Sequence, residues 1–168
     1  MIDNHIAFIG LGNVGSKLAN SILEANYSLH VYDIDKNSSN ELVKKGAIWE
    51  NSIKNLVNNS TLIITCLPSP QAVIDVVEKN SGMIEYIHNK HLWIEMSTTD
   101  EKEMIRLSKL IESKGAGVLE APVTGGQHKA ESGNISVLAA GKRANFDRAF
   151  PILSEIGFEV IYCGKLGN

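Results

Sequence analysis

Ile6-Ala7-Phe8-Ile9-Gly10-Leu11-Gly12-Asn13-Val14-Gly15 is the stretch on which the reading of this chain turns. An apolar run leads straight into glycines spaced G-x-G-x-x-G. From Val14 to Ala25, Val14, Leu18 and Ile22 then recur every fourth residue, the period of one helix face. The expected order is an apolar strand, a tight turn and an amphipathic helix. The three glycines serve different ends. Gly10 permits the sharp turn, Gly12 lets another molecule approach the backbone, and Gly15 lets the helix lie close to the strand. The N–H groups that open the helix point toward any such molecule, and the helix dipole favours negative charge there.

The alternation continues along the chain. Apolar runs at Leu29–Tyr32, Leu62–Leu67, Leu92–Ile94, Gly117–Leu119, Ile135–Ala140 and Glu159–Tyr162 predict strands. Several are apolar at consecutive positions, as strands covered on both faces are. Helix periodicity falls between them. Met104, Leu107 and Ile111 mark a helix over Glu101–Ser113, with Thr99-Asp100 before it as a cap, and another helix spans Asn145–Ile156. This repetition predicts the α/β class: a Rossmann-type, doubly wound, mainly parallel sheet. With 168 residues, the chain corresponds to one domain over 1–168, large enough to bury a proper core.

Asp33 ends the second strand, 18 residues past Gly15. An acid near that offset accepts hydrogen bonds from an adenosine ribose, so the expected ligand is a dinucleotide with its pyrophosphate on Gly10, Leu11, Gly12, Asn13, Val14 and Gly15. The same carboxylate repels a 2′-phosphate, which favours NAD(H). Lys36, next to Asp35, offsets part of that repulsion and leaves NADP(H) open. S-adenosylmethionine is the other ligand considered; lacking a pyrophosphate, it has no use for the full glycine triplet.

Composition removes several classes. Sixteen Lys+Arg against nineteen Asp+Glu give a net charge of −3, so no basic footprint invites nucleic acid. No apolar stretch approaches the roughly 20 residues of a membrane helix. The start of the chain, with Asp3 and an apolar run broken at Gly10, does not read as a signal peptide. Cys66 and Cys163 form neither a CxxC nor a disulfide framework, which fits a reducing, cytoplasmic setting; they read as small buried residues rather than nucleophiles. His5, His30, His88 and His91 lack acids or cysteines at metal-ligand spacing, and no metal is expected.

Ligands of open α/β sheets sit beyond the carboxyl ends of the strands. Cys66-Leu67-Pro68-Ser69-Pro70 is either a rigid turn or a stiff surface offering backbone groups or Leu67 to a cofactor. Ser97 and Thr98 either cap the next helix or reach a nicotinamide ribose or amide. Thr124, Gly125 and Gly126 either form an ordinary turn or combine a hydroxyl with a nest of N–H groups suited to a carboxylate.

Taken together, these segments resemble the β-hydroxyacid dehydrogenase family, which includes 3-hydroxyisobutyrate dehydrogenase, tartronate semialdehyde reductase and, more distantly, 6-phosphogluconate dehydrogenase. The resemblance is carried by Gly10–Gly15, Leu67-Pro68, Met96-Ser97-Thr98 and Ala121-Pro122-Val123-Thr124-Gly125-Gly126, with Ala130 and Gly133 following. It runs over essentially the whole chain, in order. It implies an NAD(P)-binding domain of an oxidoreductase that moves hydride between nicotinamide and a small 3-hydroxy acid or its semialdehyde. Thr124, Gly125 and Gly126 would hold the substrate carboxylate. Val14, Thr124, Glu95 and Glu120 depart from the usual methionine, serine and two aspartates.

The family's catalytic lysine would lie beyond Asn168, on a helix leading into a further helical domain that closes the site and dimerises. No residue of this chain is therefore assigned to catalysis, and a homo-oligomer is expected only of the full-length family form. His128, Lys129 and Lys165 have the right chemistry for a proton donor but read as solvated charges. Two further readings remain: a dinucleotide-binding module without turnover, and an imine reductase-like relative.

Overall fold

Ile6, Ala7, Phe8 and Ile9 are buried side by side, because the strand they form has neighbours on both edges and helices on both faces. The computed structural model describes residues 4–167, so the readings that rest on Asp3 and on Asn168 lie outside the described residues. In chain order the elements are β1 (His5–Ile9), α1 (Gly15–Glu24), β2 (Ser28–Tyr32), a 3-10 turn (Lys36–Ser39), α2 (Asn40–Lys44) and β3 (Ile48–Trp49). Then come α3 (Ile53–Asn58), β4 (Leu62–Thr65), α4 (Pro70–Glu78), a second 3-10 turn (Met83–Glu85), β5 (Leu92–Glu95) and α5 (Glu101–Ser113). The last third holds β6 (Gly117–Glu120), β7 (Val123–Thr124), α6 (Gly126–Glu131), β8 (Ser136–Gly141), α7 (Arg143–Ile156) and β9 (Glu159–Gly164).

The strands lie in the order β3-β2-β1-β4-β5-β6-β8-β7, with β9 on β8. From β3 to β6 every pairing is parallel; β8 then runs antiparallel to β6, and β9 follows β8 in parallel. The doubly wound, mainly parallel sheet is as the sequence predicts. Alternate strand residues feed two cores. Phe8, Val31, Ile64 and Ile94 pack with Leu18 and Ile22 of α1 and Ile152 and Leu153 of α7. Ile9, Ile63, Trp93 and Val118 pack with Val73 and Val77 of α4 and with Met104, Leu107 and Ile111 of α5. Covered on both sides, such strands show no polar alternation. No helix among the described residues is long and apolar enough to cross a membrane.

Boundaries differ where local chemistry intervenes. The run from Leu62 stops as a strand at Thr65, ahead of Pro68, which has no N–H for a ladder. The helix expected from Asn145 begins at Arg143, and the last strand extends to Gly164. Of the pair Thr99-Asp100, Asp100 is the cap of α5: its carboxylate accepts the N–H groups of Lys102 at 2.9 Å and Glu103 at 3.2 Å. α4 is capped by Ser69, whose hydroxyl oxygen accepts the Ala72 N–H at 3.2 Å, and Pro70 stands in its first turn.

At the opposite end of the sheet from the glycine turn, buried His91 immediately precedes β5. Its Nδ1 accepts the His88 N–H at 3.0 Å while its Nε2 lies 3.1 Å from the Val57 carbonyl oxygen, an arrangement that suits the neutral ring. Burial, and then the nearby His88, hold its pKa below the ordinary 6.5. The unfolded chain therefore takes up a proton before the folded one does. The stability His91 contributes is complete above about pH 6.5 and is lost as the pH falls below it. Chemical denaturation of the parent and of His91→Gln at a series of pH values should show their stability difference shrinking on acidification; a constant difference would refute this.

Candidate active site

The turn after β1 is built from close contacts. Gly10 has φ +96°, in the left-handed region, and a Cβ there would sit well inside contact distance of the Cys66 carbonyl oxygen. A Cβ at Gly15 would collide with the Gly10 carbonyl oxygen, so the start of α1 lies directly on the turn. Gly12 is different: a Cβ there would meet nothing within 4 Å. The space in front of it is open. Neither a side-chain cap nor an acid occupies the first turn of α1. Among the described residues, the N–H groups of Gly12, Asn13 and Val14 have no acceptor.

Asp33, just past β2, is held in place by the same turn. Its Oδ2 accepts the Leu11 N–H at 2.7 Å and its Oδ1 accepts the Asp35 N–H at 2.9 Å. Each oxygen keeps a further lone pair, so the carboxylate is oriented without being saturated. Lys36 turns toward Trp49 instead, its Nζ 5.8 Å from the ring centroid, while Trp49 stacks on Tyr32.

Between the glycine turn, Asp33 and the ends of β4 and β5 opens a cleft of about 600 Å³. It is lined by Gly10, Gly12, Asn13, Val14, Gly15 and Asp33 on one side. Leu67, Pro68, Ser97, Thr98 and Gly126 line the other. Leu11 is buried and is not part of its wall. Thr124 and Gly125 are not part of its wall; they stand exposed beside Gly126, where β7 gives way to α6. Gly125 and Gly126 have φ of +124° and +67°, conformations that glycine tolerates. The Ser97 hydroxyl oxygen accepts the Leu67 N–H at 2.7 Å and so ties the two loops of the far wall together. Residues that sequence reasoning passed over also border the cleft: Ile34, Ser38, Asp75 and Val76.

The alternative donors stay outside. His128, Lys129 and Lys165 are exposed and do not line the cleft. Cys66 does line it, but burial, helped by the charge of Glu95, pushes its thiol up to about 12, which rules out a ready thiolate.

An open glycine, unpartnered helix-start N–H groups and a braced acid are the features that a pyrophosphate and a ribose would need. The sequence profile of the NAD-binding domain of 6-phosphogluconate dehydrogenase matches residues 5–164. This chain belongs to that family. Among curated relatives, mitochondrial 3-hydroxyisobutyrate dehydrogenase of Rattus norvegicus is 32% identical over 163 residues, 97% of this chain and 49% of the relative. Chloroplastic glyoxylate/succinic semialdehyde reductase 2 of Arabidopsis thaliana is also 32% identical, over 97% of this chain and 46% of its own length. The chain thus spans about half the length of these curated relatives.

Among solved structures, 3-hydroxyisobutyrate dehydrogenase of Mycobacterium tuberculosis with L-serine superposes at a TM-score of 0.92 with 26% identity, covering 99% of this chain and 56% of that one. An imine reductase of Myxococcus stipitatus, solved with NAD+, reaches a TM-score of 0.90 at 18% identity, covering 99% and 57%; that likeness shows the fold alone.

Proposed function

We propose that this chain is the cofactor-binding unit, a single domain, of a dehydrogenase or reductase that interconverts a small 3-hydroxy acid and its semialdehyde, with NAD(H) preferred over NADP(H). The open face of Gly12 beneath unpartnered N–H groups carries the cofactor reading. The names of the relatives support the substrate class. When bound, nicotinamide supplies or accepts the hydride. The chain's own residues bind and orient: the glycine turn holds the pyrophosphate, Asp33 accepts from the adenosine ribose, and Leu67, Pro68, Ser97 and Thr98 flank the nicotinamide end. Thr124, Gly125 and Gly126 stand at the rim, where they would meet the substrate carboxylate.

Neither lysine nor histidine lines the cleft among the described residues, so we assign no proton donor and expect cofactor binding without appreciable turnover from this chain alone. The NAD(H) preference follows from Asp33: a 2′-phosphate would place a second negative charge against a carboxylate fixed by two N–H groups. Calorimetry is expected to give NADH roughly tenfold or more over NADPH, about 1.4 kcal/mol. Equal affinities, or tighter NADPH, would remove the role given to Asp33.

A further inference from the structure

Below the cleft runs a line of polar side chains too deep to touch any ligand. Thr65, Trp93 and Glu95 are fully buried. Trp93 Nε1–H donates to Thr65 Oγ1 at 2.8 Å, which occupies a lone pair there and leaves the threonine hydrogen for Glu95 Oε2. Glu95 Oε1 accepts the Ser97 N–H at 2.6 Å, and Ser97 Oγ in turn accepts the N–H of Leu67. Thr65 and Glu95 are register partners at the carboxyl ends of β4 and β5. One carboxylate therefore grips the last residue of β4 from one side and the loop after β5 from the other.

We propose that Glu95 is a positioning residue that locks the loop after β4 to the loop after β5, so that Leu67-Pro68 and Ser97-Thr98 meet the cofactor as one preset surface. The lock itself is a property of the free chain; its effect on the cofactor rests on the binding role proposed above.

The lock depends on charge. Burial pushes the Glu95 carboxyl up to about 7, while hydrogen bonds from Ser97 and Thr65 pull it down. From β6, its register partner Glu120 adds to the rise and is itself held by the Gly167 N–H at 2.9 Å. Cys66, next in the chain to Thr65, lies near enough to feel the charge of Glu95. The helices over this face, α4 and α5, contribute apolar side chains, Val73, Val77, Met104 and Leu107 among them. Among the described residues, no cation is one of the groups acting on Glu95. Ionised, Glu95 accepts from Thr65 and Ser97 together; protonated, it can meet Thr65 only by reversing that bond and turning the threonine hydrogen away, and its other oxygen becomes a weaker, neutral acceptor for the Ser97 N–H. The lock loosens as the pH falls through about 7.

The amide resonances of Leu67 and Ser97 in the cofactor-free chain should therefore titrate together with a midpoint near pH 7, and neither should move in this way in Glu95→Gln. If they do not titrate in the parent, or titrate equally in Glu95→Gln, the proposal is overturned. Should Glu95→Gln fail to fold, Ser97→Ala serves instead. It is expected to abolish the titration at Leu67 and keep it at the position 97 amide; a Leu67 amide that still titrates overturns the lock.

NADH affinity gives the second readout. It should weaken roughly fivefold or more from about pH 8 to pH 6 in the parent, stay flat in Glu95→Gln, and regain its slope in Glu95→Asp. Parallel profiles in parent and Glu95→Gln overturn the proposal. Failure of both NADH and NADPH to bind at any pH overturns the cofactor reading instead, and the amide titration still decides the lock.

Discussion

Gly12→Val is expected to leave the fold intact and to lose the dinucleotide. A Cβ at this position meets no atom within 4 Å, and its φ lies outside the left-handed region, so the free chain gains no clash at Cβ and no backbone strain. Its unfolding free energy should stay within about 0.5 kcal/mol of the parent. The branched side chain would fill the space a pyrophosphate needs, and NADH affinity should fall by roughly a hundredfold, about 3 kcal/mol. Gly10→Ala should do the reverse. There a methyl group is driven into the Cys66 carbonyl at a positive φ, and the fold should lose about 3 kcal/mol or more from strain and overpacking together. Paired denaturation and calorimetry separate the two glycines. Undiminished NADH binding by Gly12→Val would remove the pyrophosphate from this turn.

The second large effect is expected at Asp33. Asp33→Ala removes the acceptor offered to the ribose and also frees the Leu11 and Asp35 N–H groups that the carboxylate holds. Hydrogen bonds to a charged group contribute about 1.5–3 kcal/mol each, so NADH affinity should drop by about ten- to a hundredfold. NADPH should lose less, because the repulsion of its 2′-phosphate disappears in the same step. The measured quantity is the ratio of the two affinities, which should move toward unity. A ratio unchanged from the parent would mean that the adenosine end does not reach Asp33.

The β1–α1–β2 unit and its acid were legible because each feature has a local cause: apolar continuity, glycines where a Cβ would collide at Gly10 and Gly15 or fill an open face at Gly12, and a carboxylate at the strand end. The other strands were legible in position though not in length. Sequence could not show that Thr65 ends β4, since the apolar run continues to Leu67 and only Pro68 interrupts it. α2, α3 and β3 are too short for periodicity to register. α4 did carry a signal, a Ser69 cap followed by Pro70, which the prolines hid by reading equally well as a turn.

The direction of β8 was not legible at all, because an apolar run looks the same whichever way it pairs. Within the site, the glycine turn and Asp33 could be named from the chain, whereas the inward path of Glu95 could not. Polar residues at strand ends usually face water, and only the register of β4, β5 and β6 shows that Thr65, Glu95 and Glu120 line up beneath a covered face.

The earliest strand of the chain is also among the most enclosed. Ile6 pairs with Leu29 on one edge but with Leu62 on the other, so β1 gains its second neighbour only after three helices and two strands have been made. On the ribosome, at about 5–20 residues per second, this leaves a sticky segment waiting for several seconds. A nascent chain arrested shortly before Leu62 emerges should bind holdase chaperones strongly, and one arrested after β5 far less.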